Sequence, residues 1–172
     1  MEAVAAAPGG RRYTCRGQTF ATEREMLLAI MDEFRAAESF GAESLRVWLG
    51  ACRIPMLRGG LRTIAEREAW HARVLAERIA EIGGKCEAEY PGPVRETALA
   101  RLAATDVGDV EKLQEVVGFL TGPSDPVDEL RDAVLQIEED QESRALLLSM
   151  LDDEDATVRW FRETCVSLTR NT

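Results

Sequence analysis

The chain has 172 residues, 45% hydrophobic and 30% charged, and a net charge of −10. That size and balance suit one globular domain, and the acidic excess argues against non-specific binding to nucleic acid or to an anionic membrane surface. No apolar run approaches the ~18 residues of a transmembrane helix, and no charged start followed by an apolar stretch marks a secretory signal. Ala, Leu, Glu and Arg abound while β-branched runs are absent, so an all-α fold is expected. Cys15, Cys52, Cys86 and Cys165 lie far apart with no Cys-x-x-Cys pair. They are expected to be reduced thiols in a cytoplasmic protein.

Residues 1–20 are rich in Ala, Gly and Arg and lack periodicity, and are expected to form a flexible tail before a helical domain over 21–170. Thr22 followed by Glu25 is a capping box that opens a helix running to about Leu49. Its inward stripe is Leu27, Ile30, Phe34, Gly41, Leu45 and Trp48. Pro55 is placed to start the second helix, which carries Leu57, Leu61, Ile64, Leu75, Ile79 and Ile82 on one face and stops at Gly83-Gly84. So short a link makes the two helices an antiparallel hairpin. Residues 85–105, with Pro91-Gly92-Pro93 and a weak helical stretch, read as a crossover. A third helical segment follows with Val110, Leu113, Val117 and Leu120 inside, and ends at Gly122-Pro123. Pro126 then begins a piece with Leu130, Val134 and Ile137 inside. The last helix, Gln141 to about Leu168, carries Leu147, Met150, Val158, Phe161, Cys165 and Leu168. Trp48, Trp70 and Trp160 are expected to be packing residues.

Four ionisable residues interrupt these apolar stripes. Glu38 falls between Phe34 and Gly41, and Glu154 between Met150 and Val158. Glu68 and His71, the only histidine, stand three residues apart on the second helix, a spacing that puts both on one face. Glu38 lies about 14 residues before the link at residue 52 and Glu68 about 16 after it. At ~1.5 Å rise per residue the two are nearly level. A charged group on a core face is costly unless it is paired or bound to a metal, and carboxylates with an imidazole on facing helices suit iron or manganese. The competing expectation is burial beside an arginine such as Arg35, Arg46, Arg67 or Arg159. Of the acidic run Asp152–Asp155, only Glu154 keeps the inner phase, so its neighbours are expected in solvent.

The stretch Leu61-Arg-Thr-Ile-Ala-Glu-Arg-Glu-Ala-Trp-His-Ala-Arg-Val-Leu75 resembles the second helix of the ferritin-like, rubrerythrin-type di-iron carboxylate superfamily, with Glu68 and His71 matching its Glu-x-x-His ligand pair. Leu151-Asp-Asp-Glu-Asp-Ala-Thr-Val-Arg-Trp-Phe161 resembles its fourth helix. Glu38 aligns with the first-helix ligand, Glu43 being the alternative if the register slips. The likeness implies a four-helix up-down bundle with one long crossover, and a metal site of Glu38, Glu68, His71 and Glu154 holding iron or manganese. It further implies dioxygen or peroxide as partner and a homodimer as a common assembly. Two departures accompany it. Thr157 stands where the second histidine belongs, and the third-helix glutamate has no clear counterpart. Glu111 and Glu115 lie off the inner face, and Asp125, Asp128 and Glu129 sit beside prolines. The sequence thus supports two functions: a partial metal site serving redox or metal-handling chemistry, or a helical scaffold without metal whose buried acids are met by arginines or shared protons.

Overall fold

The computed structural model describes residues 12–121 and 126–170. Apart from one small hairpin the regular structure of these residues is helical, and no helix among them is long and apolar enough to cross a membrane.

Strands β1 (Tyr13–Cys15) and β2 (Gln18–Phe20) pair antiparallel, Tyr13 opposite Phe20. Arg16 and Gly17 turn the hairpin at φ 47° and 74°, the pair of positive angles that a two-residue type I′ connection requires. Tyr13 and Cys15 point inward and are buried. The Gln136 amide clasps Thr14 in both directions, accepting from its N–H at 3.0 Å and donating to its carbonyl at 2.8 Å. Residues 13–20 thus correct the expectation of a flexible tail reaching residue 20. Strands of three residues are too short for a two-residue period to stand out in the sequence. Residues 1–11 of that expected tail lie outside the described residues.

Helix α1 (Glu23–Ala51) opens on the expected capping box: Thr22 Oγ1 accepts from the Glu25 N–H, and the Glu25 carboxylate accepts from the Thr22 N–H. After a short link α2 (Pro55–Glu81) runs back along it, with Pro55 in its first turn. Arg58 closes the end of α1 by donating to the carbonyls of Leu49 and Cys52 at 2.7 and 2.8 Å. The crossover carries α3 (Gly92–Ala103), which rests on α1 and buries none of its residues. Then come α4 (Asp109–Leu120), α5 (Pro126–Leu135) and α6 (Gln141–Thr169). On α4 only Leu113 of the expected inner face is fully buried; Val110, Val117 and Leu120 are half-buried. Its other buried residue is Lys112, whose Nζ donates to the carbonyls of Leu102 and Ala104 at 2.8 and 2.6 Å and so ties α4 to the end of α3.

The apolar core is split in two. One cluster joins Met26 to Phe34 of α1, Leu75 and Ile79 of α2, the inner face of α5 and Leu147 to Leu151 of α6, with Tyr13 and Cys15 of the hairpin. The other joins Leu45 and Trp48 of α1, Leu57 to Ala65 of α2, Leu113 of α4 and Phe161 of α6. On all three long helices the residues between the clusters include the polar ones: Glu38 on α1, Glu68 and His71 on α2, Glu154 and Thr157 on α6. The fold therefore encloses a polar layer between two apolar plugs.

A candidate metal centre in the polar layer

His71 is wholly buried, and Glu38 and Glu68 are only 4% and 7% exposed. Glu154 is half-buried as a residue, but its Oε1 is closed off from solvent. A ligand atom from each of Glu38, His71 and Glu154 lies within 4.8 Å of the other two. Atoms bonded to one ion at ~2.0–2.2 Å stand at most ~4.4 Å apart. A closure of a few tenths of an ångström would bring all three onto one centre.

His71 is gripped from both sides. Nδ1 lies 2.9 Å from Glu38 Oε2, and Nε2 lies 3.2 Å from Asp153 Oδ2. A neutral imidazole has one N–H only. When it gives that proton to Asp153, its Nδ1 lone pair faces the Glu38 carboxylate. That contact is favourable only with a proton, on the ring or on the Glu38 carboxyl, or a metal ion between the two atoms. An imidazole ligand whose other nitrogen donates to a carboxylate is the arrangement that fixes ring orientation at metal sites.

Glu68 stands beside this trio. Its Oε2 is buried without a hydrogen-bond partner. The carboxylate is tucked against α1 at Gly41, where any Cβ would collide with it and would lie 3.0 Å from its Cδ. Glu154 Oε1 is likewise buried and unpartnered. Among the described residues no arginine donates to these two oxygens, although the Arg67 charge favours the ionised forms of Glu38, Glu68 and Glu154. Arg35 pairs with Asp32, Arg46 with the exposed Glu66, and Arg67 with Thr157 and Asp153.

The electrostatics follow from that shortage of positive charge. Burial, then the charges of Glu38 and Glu154, push the Glu68 carboxyl well above the usual carboxylate range. Burial and the Glu38 charge push Glu154 up to about 8. Glu38 is also raised, its burial outweighing the His71 hydrogen bond. Burial pushes His71 down, but its bonds to Glu38 and Asp153 outweigh that and leave it raised. Such a cluster retains protons unless another cation replaces them.

All four expected residues therefore face one layer, with Glu38, His71 and Glu154 converging and Glu68 against Gly41. Glu43, the alternative on α1, points elsewhere and pairs with Arg95 of α3. No α4 or α5 carboxylate joins the cluster among the described residues. Glu111 and Glu115 both pair with Arg101, Asp128 and Glu129 are exposed, and Asp125 lies outside the described residues. Asp153 corrects the expectation that Glu154's neighbours are all solvated. Its side chain is 40% exposed, yet it reaches His71, and no periodic signal could have singled it out beside Glu154. Gly41 had a signal, since it is a glycine on the inward stripe one turn after Glu38. No family model, no curated protein and no solved structure matches this chain.

Proposed function

We propose that this protein is a ferritin-like helical bundle holding a divalent metal, iron or manganese, through Glu38, His71 and Glu154, with Glu68 as a fourth ligand. The order of elements along the two apolar clusters supports the bundle. α1 and α6 run from the first cluster to the second, and α2 runs back. Together, α4 and α5 also run back, as a third strut in two pieces, so the crossover returns the chain from one end to the other. The observation that carries the metal is the convergence of a ligand atom from each of Glu38, His71 and Glu154 within 4.8 Å, beside two unpartnered buried carboxylate oxygens. One nitrogen and several oxygens make a donor set suited to iron or manganese.

Each residue has a definable task. Asp153 holds Nε2–H and presents Nδ1. Glu38 and Glu154 supply the charge that draws a cation into the core. The space at Gly41 lets the Glu68 carboxylate stand aside or move in, and the two apolar clusters close the layer at its two ends. A bound iron or manganese ion would supply one-electron redox change toward dioxygen or peroxide, placing the protein among oxidoreductases or metal-handling proteins.

A second reading is favoured by the contacts of His71 with two carboxylates. Doubly protonated, the ring satisfies both, and the bundle is then a metal-free scaffold. Manganous ion added to chelator-treated protein separates the two. A ligand that binds only the native state raises the melting temperature, so metal binding predicts a rise that grows with concentration and vanishes in Glu68→Ala. An unchanged melting temperature of the natural protein leaves the scaffold.

A further inference from the structure

Arg67 precedes Glu68 on α2 and crosses to α6 at the level of the polar layer. Its Nη2 donates to the Asp153 carbonyl at 2.9 Å and to Thr157 Oγ1. Its Nη1 lies 3.6 Å from Asp153 Oδ1, and its Nε is buried without a partner. The Thr157 hydroxyl in turn donates to the Asp153 carbonyl at 3.1 Å, which leaves its lone pairs for the guanidinium. Asp153 and Thr157 bracket Glu154 within one turn of α6, so the guanidinium lies along the same stretch that supplies a ligand. Through Asp153 it is also linked to His71, whose Nε2 takes the other carboxylate oxygen.

The layer thus has two places for positive charge. One is the convergence of Glu38, His71 and Glu154. The other is filled by a side chain that is never deprotonated in a protein and is anchored at both ends of the α6 turn. Two ions in one site stand ~3.5–4 Å apart and share their carboxylates. Arg67 is bonded to the α6 turn that carries Glu154, so a second ion sharing that carboxylate would meet a like charge, and like charges repel strongly in a core.

We infer that the centre takes a single divalent cation, because the Arg67 guanidinium is its built-in second cation. This rests on the metal-binding reading proposed above. Anaerobic manganous titration, followed by metal content after desalting and by electron paramagnetic resonance, tests it on the natural protein, Arg67→Lys and Arg67→Met. The natural protein and Arg67→Lys should each saturate at one manganese per chain with the signal of an isolated ion. Arg67→Met should take up a second ion and show the broadened signal of a coupled pair. Two ions in the natural protein would overturn the inference and leave the metal-binding reading standing. So would a Met variant that folds by circular dichroism yet stops at one ion with unchanged affinity. No ion in any of the three would remove the metal-binding reading, and this inference with it.

Discussion

Where α6 begins, the Glu23 carboxylate accepts the N–H groups of Glu138, Glu139 and Asp140 at 2.7 to 3.0 Å. In the middle of the molecule, the Glu68 carboxylate is equally buried and one of its oxygens has no partner at all. The contrast is general. Asp32 accepts from the backbone of Glu87 and Ala88 and from Arg35, pinning the crossover to α1. Asp109 accepts from Trp48 and from the Arg53 N–H, pinning α4 to the α1–α2 link. Burial pushes each of these three carboxyls up, but the hydrogen bonds outweigh it and hold each below its usual range. In the polar layer burial wins, and Glu38, Glu68 and Glu154 are all raised. The peripheral acids are fasteners whose charge is used by the fold. The central acids have too few partners, and the fold holds them toward their protonated forms.

The contrast breaks most visibly by removing one member of each set. Glu23→Ala leaves three backbone N–H groups without their acceptor, a loss of about 3 kcal/mol. For a chain of this size that lowers the melting temperature by roughly 6–12 °C, readable by calorimetry. Glu68→Gln should do the opposite in chelator-treated protein. Replacing a buried, uncompensated acid by a neutral isostere is neutral to stabilising, by about 1 kcal/mol. The same variant should lose the metal-dependent rise in melting temperature.

The two sets also titrate in opposite senses. An acid with a depressed native pKa stabilises the fold above its unfolded value, and that stability is lost as pH falls through the native value. Glu23, Asp32 and Asp109 therefore weaken the protein on the acid side. Glu154, at about 4.3 unfolded and pushed up to about 8 when folded, behaves conversely. Its favourable contribution is complete below pH ~4.3 and is lost as pH rises through about 8. Melting temperatures of chelator-treated protein should fall along a limb between about pH 5 and 8, and Glu154→Gln should flatten that limb. A limb of unchanged slope in the variant would count against the burial assigned to Glu154.

The smallest effect concerns Gly41. Gly41→Ala forces the Glu68 carboxylate to move, a change of about 1 kcal/mol because only a flexible end must shift. In a Glu68→Ala background the clash is gone, and the better helix propensity of alanine should make the substitution neutral or stabilising by up to ~1 kcal/mol. Additive changes in the two backgrounds would mean that the carboxylate does not rest at Gly41.

The long helices and their polar interruptions were legible because both are periodic. Eight turns of α1 and of α6 repeat the apolar spacing often enough that Glu38 and Glu154 stand out as exceptions. The hairpin over 13–20 was not legible, because two strands of three residues offer no repeat and its hold on the core depends on Gln136, far along the chain. Asp153 was hidden for another reason. It lies off the inner phase, and only the three-dimensional crossing of α2 and α6 brings His71 and Arg67 to it. Sequence periodicity marks which residues face inward. It does not mark side chains that reach inward from a flank.

Metal content by plasma mass spectrometry, on the protein as purified and again after anaerobic ferrous loading and desalting, tests the central claim most directly. The polar layer as described predicts one iron per chain after loading, and none in Glu68→Ala treated in the same way. Loaded natural protein without iron would contradict it, and the buried acids would then belong to a proton-sharing scaffold.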